Sequence, residues 1–267
     1  MSGSVRQMFD QLLADQKPLP FVSQYQGSVV ELGYQAYQQI LSMNYARRIF
    51  PRTIKTPAGN IKSYEIAGAH RNDILLQLLA SQAGTDDVIY DIGAYAGEYA
   101  LALTAEFPDR HVVAFDPSMQ NMRRHVVNRN ETCPKGTVEL HLCGLGNQSG
   151  YQTFYQSSHP KQSSFSKKDA TRWGANVTNT QDVPIKTIDS LTDIPPPDHI
   201  KIDAEGTELS ILDGAVDTIN THRPALYIEP HDLPDESRKS EIFQWCKKHS
   251  YNAHSQDDVL MCVPESQ

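Results

Sequence analysis

Between Asn72 and Glu229 the chain alternates between two hydrophobic rhythms. Val88–Asp91, His111–Asp116, Val138–Cys143, His199–Asp203 and Ala225–Glu229 are short and mostly apolar on both alternating faces, which predicts strands of a parallel sheet covered by helices. The intervening segments carry apolar residues every three or four positions. Ile74, Leu75, Leu78 and Leu79 predict a helix closed by Gly84, and Gly97–Phe107 predicts one with Ala100, Leu103 and Phe107 inward. Met119, Met122 and Val126 mark the next helix, and Leu209, Leu212, Val216 and Ile219 line a single later one. After a helix bearing Ile242, Trp245, Cys246 and His249, the strands Tyr251–Ala253 and Val259–Val263 flank a polar turn at Ser255–Asp258. So short a link requires antiparallel pairing. The expected fold is α/β: a doubly wound, mostly parallel seven-stranded sheet ending in an antiparallel hairpin.

Residues 1–66 read as an N-terminal helical and hairpin extension, with residues 67–267 forming the main domain. Val5, Met8, Phe9, Leu12 and Leu13 share one helical face that ends before Pro18, and Pro18 to Gly27 reads as extended. Val29, Leu32, Ala36, Tyr37, Ile40 and Leu41 mark a second amphipathic helix finishing near Arg47-Arg48. Thr53–Ile66 resembles a hairpin around Pro57-Ala58-Gly59-Asn60. The extension has too few apolar faces to close its own core and is expected to cap the main domain. Ser157–Asp182, rich in Ser, Lys, Thr, Asn and Gln, reads as a solvated loop.

Charge and cysteine usage narrow the function. A formal charge of −8 argues against a broad nucleic-acid footprint, so no nucleic-acid partner is expected. Cys133, Cys143, Cys246 and Cys262 are scattered, which points to buried free thiols and away from a metal cluster or disulfide framework. No apolar run approaches a membrane span, and the first residues lack a signal-peptide core, so the cytoplasm is the expected compartment.

The chemistry concentrates at strand ends. Asp91-Ile92-Gly93-Ala94-Tyr95-Ala96-Gly97 follows the first main-domain strand and precedes a helix. Glycines let the backbone turn tightly beside a ligand, and Asp91 offers a carboxylate to the amino group of an amino-acid-like ligand. A pyrophosphate-binding turn needs Gly-x-Gly-x-x-Gly, yet Tyr95 stands at its middle glycine and Asp91 adds negative charge. The turn therefore favours S-adenosylmethionine, a cation without phosphate. Asp116, closing the next strand, is placed to accept from ribose hydroxyls, with Pro117 shaping the adenine side and Cys143-Gly144 bordering the adenine.

These residues resemble the FkbM family of S-adenosylmethionine-dependent methyltransferases, over roughly Thr53 to His231. The resemblance rests on Asp91-Ile92-Gly93-Ala94-x-x-Gly97-x-Tyr99, Val113-Ala114-Phe115-Asp116-Pro117 and Ile188-Asp189-Ser190-Leu191. It continues through Ile200-Lys201-Ile202-Asp203-Ala204-Glu205-Gly206-x-Glu208, Leu212-x-Gly214-Ala215 and Pro224 leading to Ile228-Glu229-Pro230-His231. It implies a Rossmann-like methyltransferase fold. It also implies a cofactor site including Asp91, Gly93, Ala94, Tyr95, Gly97, Tyr99, Asp116, Pro117, Cys143 and Gly144, and methylation of a hydroxyl on a sugar, glycan, glycolipid or related natural product. Tyr95 stands where the family usually has Asn, and Asp116 where Glu is more usual.

On the acceptor side, an alcohol must lose its proton to a base or to a metal that acidifies it. Asp203, Glu205, Glu229 and His231 lie at the carboxyl ends of two consecutive strands, where open α/β sheets bind ligands. Asp203 is expected at the transfer point, and His231 as the base, since an unperturbed imidazole titrates near ~6.5. Glu229 could orient that imidazole, and Glu205 could instead cap the following helix. Clustered oxygens of Asp203, Glu205 and Glu229 would also suit a divalent metal. Lys201, mid-strand, reads as structural cover for a strand edge. Phe165, Arg172 and Trp173 are the candidates for recognising a small-molecule or glycan acceptor. The rival readings are a methyltransferase of nucleic acid or protein, a non-catalytic cofactor-binding module and, disfavoured by its turn, a nicotinamide-dependent oxidoreductase.

Overall fold

The computed structural model describes residues 29–66, 73–158, 162–171, 175–231 and 238–265. The helix expected over Val5–Leu13, Arg172 and Trp173 lie outside the described residues. The described part of the extension is helix α1 (Val29–Arg47) and the hairpin of β1 (Arg52–Lys55) and β2 (Asn60–Ser63). The main sheet takes β3 (Val88–Ile92), β4 (His111–Phe115), β5 (Thr137–His141), β9 (His199–Ile202), β10 (Ala225–Ile228), β11 (Tyr251–Gln256) and β12 (Val259–Pro264) in the order β5-β4-β3-β9-β10-β12-β11. The first five of these in that order pair in parallel, and β12 runs antiparallel to both β10 and β11. Strand order reverses between β3 and β9, which opens a ligand crevice at their carboxyl ends.

Strand periodicity divides the core between two faces. Tyr90, Ile92, Val113, Phe115, Ile200, Ile202, Leu226 and Ile228 point to one side. There they meet α6 (Glu208–Asp213), α7 (Val216–His222) and α8 (Arg238–Lys248) through Ile211, Leu212, Ile219, Ile242, Trp245 and Cys246. Ile89, Val112, Ala114, Val138 and Tyr227 point to the other side, against α2 (Ile74–Gln82) and α3 (Glu98–Thr104). Both clusters are almost fully excluded from water, as the unbroken apolar strands require.

Several boundaries differ from the periodic reading. α3 stops at Thr104 because Pro108 disfavours helical backbone before it; Phe107 is instead covered by the Arg110 guanidinium, 3.9 Å from its ring centre. The helix expected through Leu209–Ile219 is two, α6 and α7. Its break falls at Gly214, whose backbone approaches Gly146 so closely that a Cβ there would lie 2.0 Å from the Gly146 carbonyl oxygen. On α4 (Met119–Thr132) Met119 and Val126 are exposed, and the buried side carries Met122, Arg124, His125 and Asn128. In α1, Leu41 is buried while Ala36 and Ile40 face out. Cys133 is exposed at the end of α4, whereas Cys143, Cys246 and Cys262 are buried free thiols.

The largest departure is Ser157–Asp182. β6 (Gly144–Leu145), β7 (Gly150–Ser157) and β8 (Val177–Lys186) form a second sheet in the order β6-β8-β7, with the short α5 (Lys167–Ala170) in the connection. Much of the expected loop is therefore strand and helix. Phe154, Val183 and Ile185 form its small core, with Phe165 packed against them. Gln181 donates to the Pro117 carbonyl at 3.0 Å, joining this sheet to the end of β4. Among the described residues, no helix is long and apolar enough to cross a membrane.

Candidate active site

The crevice at the β3/β9 reversal is an open cavity of about 1280 Å³ including its mouth. Gly93, Ala94, Tyr95, Tyr99, Asp116, Pro117, Cys143 and Gly144 line it, as do Asp203 and Glu205. Ten of the fourteen residues expected at the site therefore lie in its wall. Asp91, Gly97, Glu229 and His231 are not among the lining residues.

Asp91, expected to face the donor, is not among the wall residues and is paired with a buried cation. Parallel register places it beside Lys201 on the adjacent strand, and their charged atoms lie 3.0 Å apart with both side chains almost wholly buried. Lys201 is not at a sheet edge, since β9 lies between β3 and β10. Its ammonium also donates to the carbonyls of Ile92 at 3.3 Å and Gly93 at 3.0 Å, faces Asp203 at 3.6 Å and sits 4.9 Å from the Tyr99 ring centre. One cation thus fixes the turn after β3 to the loop after β9. The two loops are in such contact that a Cβ on Gly93, which has φ +78°, would lie 1.8 Å from the Asp203 carbonyl oxygen.

Asp116 closes β4 as expected. Its carboxylate accepts from the backbone N–H groups of Tyr95 at 2.9 Å and Ser118 at 2.8 Å and from Asn121 at 3.2 Å, while burial raises its pKa to about 6. The Tyr95 hydroxyl accepts from Arg124 at 3.2 Å and lies 3.5 Å from Glu65. The Phe165 ring lies against Gly144 and packs edge-on to Phe154, which puts it at the end of the cavity that the sequence assigns to the nucleoside. Glu98, in the first turn of α3, is a buried acid of the wall that the strand-end reading missed, although it follows Gly97 directly.

The acceptor acids converge with one correction. His231 lies 3.7 Å from both Asp203 and Glu205 through Nε2, while its Nδ1 meets Glu208 at 2.9 Å. Glu208, fully buried and also accepting from Gly206 N–H, orients the imidazole in the position expected of Glu229. Glu205 has φ +47° and turns toward His231; α6 starts after Thr207, so Glu205 does not stand at its N-cap. Burial opposes the imidazole charge, but Glu205, Glu208 and Asp203 outweigh it and raise the pKa to about 10. An imidazolium is a poor base at neutral pH. Repulsion from Asp203, followed by burial, instead raises Glu229 to about 7, where a carboxylate can both take and hold a proton.

Asp203, Glu205 and His231 each bring a ligand atom within 4.8 Å of the others, the group among the described residues that could hold a metal ion. This set contains His231 in place of Glu229. Metal binding there would require His231 without its Nε2 proton.

The cavity's chemistry fits S-adenosylmethionine. Glu98, Asp116, Asp203 and Glu205 place acids around it, and Glu98 occupies the helix turn that a pyrophosphate would need for itself. Asp116 would take the ribose hydroxyls, with Pro117, Cys143 and Gly144 beside the base.

The profile of the Methyltransferase FkbM domain matches residues 91–253, well over half of the chain. The hexuronic acid methyltransferase AglP of Haloferax volcanii is 28% identical over 152 residues, covering 55% of this chain and 57% of that protein, so the match leaves much of the relative's own length unspanned. Among solved structures, an FkbM methyltransferase from Methylobacillus flagellatus KT is 19% identical with a TM-score of 0.46, covering 79% of this chain and 48% of that one. A precorrin-6y C5,15-methyltransferase from Geobacter metallireducens GS-15 is 13% identical with a TM-score of 0.46, covering 74% and 88%. By the span of its domain match, the chain belongs to the FkbM family of methyltransferases.

Proposed function

We propose that this methyltransferase uses S-adenosylmethionine to methylate a hydroxyl oxygen of a sugar, a glycan or a related natural product. The observation that carries the reading is the placement of Asp203 at the strand-order reversal, directly against the Gly93 turn, with Glu205 and His231 grouped around it. When bound, the donor supplies an electrophilic methyl on a sulfonium. The chain's own residues then have three tasks. The Gly93–Gly97 turn, Asp116 and the second sheet hold the donor in place. Asp203 and Glu205 orient the hydroxyl, with much of the acceleration coming from that alignment. Glu229, outside the cavity wall but held near neutral by the charge of Asp203, is the group whose proton affinity suits taking up the hydroxyl proton, and the His231 imidazolium offsets the surrounding negative charge. The sugar class is supported by the similarity to the Haloferax volcanii relative, a hexuronic acid methyltransferase.

Calorimetry with S-adenosylhomocysteine is the first test; absence of binding by folded protein removes the reading. Incubation with isotope-labelled S-adenosylmethionine and a panel of hexoses and hexuronic acids, read by mass spectrometry, then locates the methyl. A product labelled on nitrogen or carbon, or label appearing only on nucleic acid or protein in an extract, replaces hydroxyl transfer with another chemistry.

A further inference from the structure

Tyr95 poses a physical question. It stands in the donor turn with φ +48°, a left-handed conformation that a bulky side chain rarely adopts and that persists only where its surroundings hold it. The holding groups come from two directions. Its N–H donates to Asp116, as described. Its hydroxyl meets Arg124 of α4 and Glu65, the residue that follows β2 and Tyr64.

Glu65 is itself built into a buried polar network. It lies 3.8 Å from Arg124 and accepts from the Tyr45 hydroxyl of α1 at 3.0 Å. Asn128 donates to that same Tyr45 hydroxyl at 2.9 Å and to the Ala96 carbonyl, inside the donor turn, at 3.0 Å. Asn128 also accepts from Tyr64 N–H at 3.2 Å. Arg124 donates to Gln38 of α1 at 3.4 Å, and Gln38 lines the donor cavity together with Tyr95 and Arg124. The side chains of Glu65 and Arg124 are 3% and 6% exposed, so their charges are committed to one another and are not a solvated surface pair.

We infer that the N-terminal extension is a working part of the donor site: Glu65 is a positioning residue that sets the Tyr95 turn through Arg124, and Gln38 adds a polar contact to the wall facing the nucleoside. Gln38 and Glu65 precede the matched residues 91–253 and Tyr95 and Arg124 lie within them, so the device joins the extension to the matched domain. The inference rests on the S-adenosylmethionine reading above. It assigns the extension to donor binding and leaves acceptor binding to Asp203 and Glu205.

The test compares S-adenosylhomocysteine affinity by calorimetry, acceptor KM and thermal stability in the full chain. Glu65→Gln, Tyr95→Phe and Gln38→Ala are expected to weaken S-adenosylhomocysteine binding by about tenfold, with acceptor KM nearly unchanged. Gln38 is partly exposed on α1, so Gln38→Ala keeps the test open if a buried-network variant fails to fold. Arg48→Gln, which removes a solvent-exposed 3.9 Å pair with Glu131 at the end of α1, is expected to bind as wild type does. Wild-type affinity in all three site variants overturns the inference, as does equal weakening by Arg48→Gln, which would mean that the extension acts through folding alone. Failure of the wild-type chain itself to bind S-adenosylhomocysteine instead removes the donor reading on which the inference stands.

Discussion

The donor and acceptor halves of the cavity use charge in opposite ways. On the donor side, Asp91 and Lys201 are 1% and 2% exposed and neutralise each other, and Asp116 is wrapped in N–H donors. On the acceptor side, Asp203 and Glu205 are 33% and 24% exposed, and each stands 3.7 Å from His231, beyond hydrogen-bonding reach. Paired charges fix backbone; crowded ones move proton affinities. That is why the ammonium ties down the turn, while Glu229 rises to about 7 and His231 to about 10. On the proposed assignment the donor half is a frame in which burial lifts Asp116 to about 6, while in the acceptor half neighbouring charges set the proton affinities.

Removing Lys201 tests the frame most severely. Lys201→Met leaves Asp91 charged and buried without its partner, and the expected loss is about 3–5 kcal/mol of folding stability in denaturant titration. The double variant Lys201→Met with Asp91→Asn should recover part of that loss, because the uncompensated charge is gone. A double variant no more stable than the single one would show that the 3.0 Å pair is not the source of the effect.

The acceptor half should respond differently. Glu229→Gln is expected to keep S-adenosylhomocysteine affinity and lower kcat/KM by roughly 10²–10³-fold, within the usual worth of a positioned base. A carboxyl raised to about 7 is deprotonated, and so able to act, above that pH; activity should rise with pH through about 7 in the wild type and lose this limb in the variant. A rise centred near 10 that disappears in His231→Gln would return the base to the imidazole.

The main sheet was legible because its five parallel strands are buried on both faces and therefore apolar without interruption. The second sheet was not. β7 and β8 bury only Phe154, Val183 and Ile185 among eighteen positions of largely polar sequence, so no hydrophobic period marks them. The helix through Leu209–Ile219 looked continuous because a single apolar stripe crosses Gly214, where contact with a distant backbone ends it. Within the site, Asp116, Asp203, Glu205 and His231 were visible as polar residues closing apolar strands. Lys201, Glu208, Glu65 and Arg124 were not assigned their roles, because each is held by partners that only tertiary structure supplies. Lys201 meets Asp91 across 110 positions of chain, and burial by pairing leaves no period in sequence. The same limit bears on His231: its environment, and not its intrinsic acidity, decides whether it holds a proton.

The smallest effect bears on that environment and tests it in the folded state without turnover. The His231 pKa of about 10 lies above the ~6.5 of an unfolded chain. Its contribution to stability is therefore fully present below about 6.5 and lost as pH rises through about 10. Because Asp203 and Glu205 remain partly hydrated, screening should leave the stabilisation smaller than the full shift implies. His231→Gln removes the titrating group, so the variant should lose less stability than the wild type between about pH 7 and about pH 10 in paired denaturant titrations. Parallel curves would mean that the acids around His231 do not hold its proton, and the contrast between a paired donor half and a crowded acceptor half would then rest on Glu229 alone.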